Sequence, residues 1–321
     1  MERKHKSAMK WTKKIISFAA VKADADNGKS TEFNTSFHTE AEAPDKKTTS
    51  NAPYDYGRWL HLILASRKLS PGLLQKVTLT HSQARLLYNA CNASMQINRV
   101  NLMMIEDLNE EIVPALSALC FPPEGLFVRL NACSPKDGVQ SIPGQVSLHS
   151  VSEIILRLVT SSRCRTALED CLSALIPVEL FFLPFDKRMG SQREFRVFCR
   201  AEDCRITGIS QYCWHKPWRY ACLSEKDQDR IIEKVVLEAE RLRVQILADL
   251  NGNDKTDRLL MEQGMSFDLL YDEEACDVEL VELNPFGTRS PCGSCLFQWA
   301  KDQEVLYDEQ NKKTIECRVS W

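Results

Sequence analysis

The hydrophobic positions in the first half of this chain follow a helical period. Apolar residues recur at three- and four-residue spacing over residues 81–96 and 101–119. Together with residues 59–79, these stretches predict a mainly helical N-terminal subdomain covering residues 53–120.

Two further helices are predicted from the residues that begin them. Ser150 with Glu153 forms a capping box that opens one helix. Ser224 and Asp227 begin a longer helix, which stops at the polar turn of residues 251–253. Because the apolar residues of this longer helix lie on one side, we expect it to pack on a sheet.

Short runs rich in β-branched and aromatic residues alternate with these helices and predict strands. Helices and antiparallel strands in this order are typical of an α+β domain with its site between two lobes. The predicted strands cover residues 126–131, 178–183, 193–200, 205–211, 265–271, 278–283 and 314–319.

The first 52 residues have a different character, since they combine few apolar residues with many charges. This composition predicts a disordered tail over residues 1–52. A mitochondrial transit peptide, a nuclear import signal and a site for an anionic partner are alternatives for its basic start. The basic residues are Arg3, Lys4, Lys6, Lys10, Lys13 and Lys14.

Composition excludes several classes of protein. With 321 residues, 44% of them hydrophobic, the chain can bury a core and build two lobes. A net charge of −3 argues against direct nucleic-acid binding, and no apolar run is long enough to cross a membrane. The 13 cysteines lack a disulfide-like rhythm, so we expect reduced thiols in a cytoplasmic protein.

Two predicted strands near the C-terminus end in hard oxygen donors. Asp268 lies on the first strand, and Glu282 and Asn284 lie on the second. Side chains on a strand repeat with period two, so Val281 and Leu283 can face a core while Glu282 and Asn284 emerge together. Mg²⁺ prefers oxygen ligands of this kind. A hairpin whose outer face is merely polar has the same spacing, and spacing alone leaves both interpretations open.

Three ordered blocks of sequence resemble the cell division cycle protein 123 family. They are residues 126–137, residues 194–198 with 209–211, and residues 282–287 with 296–299. The resemblance covers over half of the chain. It implies an ATP-grasp-like α+β fold over residues 121–321, with two lobes, antiparallel sheets and an interlobe nucleotide cleft.

The resemblance also implies a function. The best-known members of this family are cytosolic factors that bind ATP and Mg²⁺ and help the subunits of eukaryotic translation initiation factor 2 to assemble. Its gamma subunit is then the expected partner. No covalent product is established for the family, so a catalysed reaction cannot be assigned from the resemblance.

The family's metal-coordinating positions fall on Asp268, Glu282 and Asn284, with Glu282 in place of an aspartate. Arg129 stands where the family has a lysine that holds ATP phosphate, and this exchange alters the geometry of a phosphate contact because guanidinium is a planar fork. The further nucleotide-binding positions implied by the resemblance are Ser134, Lys136 and Gly138 in a turn, Glu179, Leu180 and Phe181 in the interlobe hinge, and Arg196 beside the triphosphate.

Two departures from the family pattern leave the function open. Tyr212 and Cys213 follow Gln211 where the family continues with Arg and Asp, and Cys292 with Gly293 replaces its Thr-Asp. One alternative is an ATP-dependent ligase that joins a carboxylate to an amine. Another is a degenerate ATP-grasp module that has lost the nucleotide and kept only a protein-binding surface. The spacing of Cys292 and Cys295 also permits redox regulation, although an accidental pair in a loop of small residues is the simpler explanation.

Overall fold

Two compact units, each with its own β-sheet, make up this computed structural model. The structure describes residues 9–27, 31–189 and 192–321. Arg3, Lys4 and Lys6 of the basic start lie outside the described residues. No helix in the described ranges is long and apolar enough to cross a membrane.

The first unit comprises Met1–Lys68 and Lys187–Trp321, and the second comprises Leu69–Asp186. The second unit therefore draws residues from both the helical subdomain predicted at 53–120 and the domain predicted at 121–321. The α+β prediction with two sheet-bearing lobes is confirmed.

The first unit is built around a six-stranded sheet. Its strands are β1 (Lys10–Ile16), β5 (Glu194–Cys199), β6 (Ile206–Gln211), β7 (Met265–Asp272), β8 (Asp277–Pro285) and β9 (Thr314–Ser320), and its helices are α1 (Phe18–Asp26), α2 (Tyr56–Ser66), α8 (Glu225–Ala248), α9 (Lys255–Gln263) and α10 (Gln303–Leu306). The strand order in the sheet is β1-β9-β6-β5-β7-β8. Helix α8 contacts β8 and β1 through its buried apolar side, as its sequence predicted.

Antiparallel pairing joins β6 to β5, β5 to β7 and β7 to β8. Strand β9 is parallel to both of its neighbours, β1 and β6. The larger sheet is therefore mixed. Parallel neighbours need a long connection between them, and β1 and β9 come from opposite ends of the chain.

The tail predicted to be disordered contains ordered structure, which corrects that prediction over residues 10–26. Strand β1 pairs along its whole length with β9, and α1 follows it. As an edge strand, β1 is exposed at most of its positions, so it needs few apolar residues. Lys13 adds an ion pair with Asp229 at 2.7 Å. Composition missed β1 because its stability comes from a partner strand about 300 residues away.

The second unit carries a three-stranded antiparallel sheet in the order β2-β4-β3. Helices α3, α6 and α7 pack together against a core that includes Leu87, Leu168 and Phe182. Its strands are β2 (Gln75–Leu79), β3 (Leu126–Leu130) and β4 (Val178–Pro184), and its helices are α3 (His81–Ser94), α4 (Ile105–Asp107), α5 (Val113–Leu116), α6 (Val151–Val159) and α7 (Ser162–Ser173).

Two helical predictions need adjustment in detail. Within residues 59–79, α2 ends at Ser66 and Gln75–Leu79 instead forms β2, because this segment pairs with β4. Between α4 and α5 the chain makes a π-helical turn, Leu108–Ile112, so the helix predicted over residues 101–119 is interrupted.

Gly264, which directly follows α9, lies in a tightly packed position with a backbone conformation that favours glycine. Its φ is +77°, and a Cβ there would lie 2.7 Å from the Ala201 nitrogen and the Cys199 oxygen. We therefore expect Gly264→Ala to lower the free energy of unfolding, measured in urea, by about 1–3 kcal/mol or more. Gly252→Ala is the matched control because a Cβ on Gly252 would have no atom within 4 Å, and it should change stability by less than about 0.5 kcal/mol. Equal losses would contradict this account.

Candidate nucleotide and metal site

One row of side chains crosses the six-stranded sheet from edge to edge. Direct strand register joins its members in pairs, and register partners project from the same face of a sheet. We call this set the polar row. In order across the sheet it consists of Lys14, Arg318, Ser210, Arg196, Asp268 and Glu282.

Arg196 and Asp268 form a bidentate ion pair at the centre of this row. Nε of Arg196 lies 2.7 Å from Oδ1 of Asp268, and Nη2 lies 2.7 Å from Oδ2. The side chains are only 8% and 1% exposed. Two parallel hydrogen bonds to a planar carboxylate offset the cost of taking both charges out of water. The resemblance placed Arg196 beside the triphosphate, whereas the structure shows it bound to a predicted metal ligand.

Glu282 and Asn284 join Asp268 from the neighbouring strand. Asp268 faces Glu282 in register, and Nδ2 of Asn284 lies 3.4 Å from Oδ2 of Asp268. The pairing of β7 with β8 shifts between Asp268 and Leu269, which leaves Val281 as an extra residue. This bulge explains why Val281 is only half-buried while Leu283 faces the core as predicted. The structure thus brings together the three predicted metal ligands.

Burial and two neighbouring charges act in different directions on the Asp268 carboxyl. Burial raises the pKa of the Asp268 carboxyl, Arg196 opposes that rise, and the nearby Glu282 carboxylate adds to it. Two carboxylates and one amide oxygen are hard donors that match the preference of Mg²⁺, and a divalent cation would lower the repulsion between the carboxylates. The donor chemistry therefore fits Mg²⁺. Within the described ranges, no group of three or more His, Cys, Asp or Glu side chains could hold a metal ion.

A loop formed by residues 287–302, the covering loop, lies over the polar row. Nη1 of Arg196 donates to the Gly293 carbonyl at 2.8 Å, and the Leu296 amide donates to Oγ of Ser210 at 3.1 Å. Arg318 donates to the Leu296 carbonyl and binds Asp302 through both terminal nitrogens. The row therefore holds the covering loop at three points along its length.

Tyr212 occupies the place where the family sequence carries a charged residue. The guanidinium carbon of Arg196 lies 5.0 Å from the centre of the Tyr212 ring. A cation–π contact of this kind stabilises the buried guanidinium against the face of the ring. Sequence reasoning missed this contact and the Gly293 carbonyl, because only the folded chain brings both residues next to Arg196.

Apart from Arg196, the predicted phosphate-contacting residues lie in the second unit. Arg129 is buried on β3, Ser134 is buried in the following turn, and Lys136 is exposed. At Gly138 a Cβ would lie 2.1 Å from the Arg157 carbonyl, so packing against α6 already requires a glycine there. The bonds of Asp137 to Ser161 and Arg163 tie this turn to the start of α7.

Strand β4 carries the residues predicted for the adenine hinge. Leu180 and Phe181 are buried, and Glu179 pairs with Lys76 at 2.5 Å. Strands β2 and β3 flank β4 on both sides at Leu180 and Phe181, so the sheet occupies their backbone groups. The contribution of this strand to adenine binding stays a prediction.

The pair Cys292 and Cys295 is buried in the covering loop. Burial raises the pKa of the Cys292 thiol to about 11, although Arg196 opposes the rise, and burial also raises the pKa of Cys295. Because the thiolate is the reactive form, both thiols are poor nucleophiles near neutral pH. All 13 cysteines lie in the described part of the chain as free thiols.

Comparisons with known proteins give one family match and several structural matches. The D123 family model matches residues 92–320. The structure of Cdc123 from Schizosaccharomyces pombe matches with a TM-score of 0.55 and 17% identity, covering 85% of this chain and 99% of that one. The C-terminally truncated form of that protein gives a TM-score of 0.54 and 18% identity, with 85% and 98% covered.

D-alanine-D-alanine ligase from Helicobacter pylori is more distant. Its TM-score is 0.36 at 15% identity, and the match covers 80% of this chain and 58% of that one. A search of curated protein sequences gives no significant match. The match to Cdc123 shows a shared fold.

The buried ion pair gives a testable prediction. Arg196→Met should lower the free energy of unfolding by about 3–5 kcal/mol, because it leaves the Asp268 carboxyl buried without its partner. Arg200→Met is the matched control, since Arg200 makes an equally bidentate pair with Asp203, whose side chain is 45% exposed. Arg200→Met should lower the free energy of unfolding, measured in urea, by less than about 1 kcal/mol. Similar losses for both variants would show that burial of the pair contributes nothing.

Proposed function

Since the chain belongs to the D123 (Cdc123) family, we propose that it is an assembly factor for a protein complex that binds ATP together with Mg²⁺. The observation that carries the proposal is the convergence of Asp268, Glu282 and Asn284 beside Arg196 in a buried part of the sheet. A purely structural hairpin has no need for a second carboxylate next to a buried ion pair, because each buried charge has a cost.

In this proposal the oxygen atoms of Asp268, Glu282 and Asn284 hold Mg²⁺. The bound ion would supply positive charge to the nucleotide phosphates. Arg196 fixes the orientation of the Asp268 carboxylate, since it engages both of its oxygens. A ligand oxygen that cannot rotate loses less entropy when the ion binds.

The nucleotide itself is assigned to the family positions in the second unit. Arg129 and Lys136 supply positive charge for phosphate oxygens, and Ser134 supplies a hydroxyl. The proposal also assigns Gly138, in the turn, to nucleotide binding. It assigns Glu179, Leu180 and Phe181, on β4, to binding of the adenine.

Binding is better supported than a catalysed reaction. Tyr212 packs on Arg196 where the family sequence has a charged residue, so the site has one fewer charged group for contact with phosphate. We therefore propose that the nucleotide acts as a structural ligand of a cytoplasmic factor. By resemblance, the partner is the gamma subunit of translation initiation factor 2.

Calorimetric titration of the intact protein with ATP tests this proposal. We expect binding that requires Mg²⁺ and is lost when EDTA removes the metal. Asp268→Ala and Glu282→Ala should each weaken binding at least about tenfold, because each removes one charged oxygen ligand. Asp277→Ala is the matched control, since Asp277 lies at the other end of β8 and pairs with Lys68.

The outcomes separate the alternatives. Unchanged affinity in both carboxylate variants would contradict the metal assignment. A protein that stays folded and binds no nucleotide would indicate the degenerate module. Release of ADP and phosphate that depends on an added small carboxylate would indicate a ligase and contradict a purely structural role for ATP.

A further inference from the structure

Residues 31–39 run along the covering loop and pair with its backbone. The Asn34 amide donates to the Cys295 carbonyl at 2.7 Å, and the Ser294 amide donates to the Thr35 carbonyl at 3.1 Å. Farther along, the Phe37 amide donates to the Ser290 carbonyl at 2.9 Å. We call residues 31–39 the bracing segment.

Side chains strengthen the same contact. Oδ1 of Asn34 accepts from the Cys295 amide at 3.2 Å, so Asn34 and Cys295 are joined in both directions. Oγ1 of Thr35 accepts from the Trp299 amide at 3.1 Å, and Oγ of Ser294 accepts from the Thr35 amide at 2.9 Å. The bracing segment therefore satisfies polar groups of a buried loop that has no sheet partner of its own.

Helix α1 fixes the start of the bracing segment through one carboxylate. Asp24 accepts hydrogen bonds from the backbone amides of Thr31, Glu32 and Phe33 and from the Thr31 hydroxyl. Burial acts to raise the pKa of Asp24, yet these donors hold it below its ordinary value. The segment is thus tied to the first unit at its beginning as well as along the loop.

The opposite side of the covering loop contacts the candidate site, where Arg196 binds the Gly293 carbonyl at 2.8 Å. Gly293 directly precedes the residues that the bracing segment holds. A Cβ on Gly293 would lie 2.3 Å from Oδ1 of Asn34, so the segment and the loop are in close contact at this point. One short path of contacts therefore leads from Asn34 through Gly293 and Arg196 to Asp268.

We propose that the bracing segment positions the metal site, with Asn34 as the positioning residue that fixes the Gly293 carbonyl and, through it, the Arg196 guanidinium. The segment lies outside the residues matched by the family model, which begin at residue 92. The matched region of this chain then depends on residues that precede it in the sequence for an ordered site. The consequence for ATP binding rests on the proposed function, whereas the effect on Arg196 does not.

Three variants of the full chain test this inference. Asn34→Gly removes the side-chain bond to Cys295 and tolerates the φ of +49° at this residue. Asn34→Asp keeps an acceptor oxygen and should restore the intact behaviour. Thr39→Ala is the control in the same segment, since the Thr39 side chain bonds Glu42.

The first measurement is hydrogen exchange by NMR without any ligand. In Asn34→Gly the amides of Ser294 and Cys295 and the Nε–H of Arg196 should exchange about tenfold faster, as expected for the loss of one hydrogen bond. The Asn34→Asp and Thr39→Ala variants should match the intact protein. Unchanged exchange of the Arg196 Nε–H in Asn34→Gly would overturn the inference, whatever the protein does with ATP.

The second measurement is the affinity for ATP with Mg²⁺, which should fall about tenfold in Asn34→Gly and stay unchanged in Thr39→Ala. Faster exchange with unchanged affinity would show that the segment orders the loop without positioning the site, and would also overturn the inference. If the intact protein binds no ATP, the proposed function fails, and exchange at Arg196 alone then decides whether the bracing segment positions that side chain.

Discussion

Arg196 and Asp268 meet across two neighbouring strands with both guanidinium–carboxylate distances at 2.7 Å, in a place closed to water. A buried pair of this kind is stable only when its geometry is kept and its remaining hydrogen-bonding groups are satisfied. The Gly293 carbonyl accepts a hydrogen bond from Nη1, the remaining terminal nitrogen of Arg196, and the Tyr212 ring covers the guanidinium. The order of the covering loop and the orientation of a predicted metal ligand are therefore linked through one arginine.

The pair also explains why the rest of the site has its composition. Arg196 compensates one negative charge, while Glu282 brings a second carboxylate to the same row. Desolvation makes that second charge costly, which is visible in the raised pKa of Asp268. In the proposed function a bound divalent cation would lower the repulsion between the two carboxylates, with Asn284, two residues beyond Glu282 on β8, as a third oxygen donor.

Sequence patterns predicted the local parts of this fold well and the distant contacts poorly. Strands β3 to β9 were predicted to within two residues at each end, because buried strands show their alternation directly. The alternation also predicted that Glu282 and Asn284 emerge beside Asp268.

Strands β1 and β2 were missed, since their pairing with β9 and β4 is the source of their stability. The partner of Arg196 could not be found from spacing, because cross-strand register joins residues 72 positions apart. The bracing segment was hidden for the same reason.

The central claim is that Asp268, Glu282 and Asn284 hold the metal ion of a bound nucleotide. Crystals of the intact protein grown with Mn²⁺ and a non-hydrolysable ATP analogue would test it most directly, because Mn²⁺ gives an anomalous signal and prefers similar oxygen ligands. The account predicts an anomalous peak within coordination distance of oxygen atoms from all three residues. Clear density for the nucleotide with the metal bound by other residues, or with no metal peak beside Asp268, would contradict it.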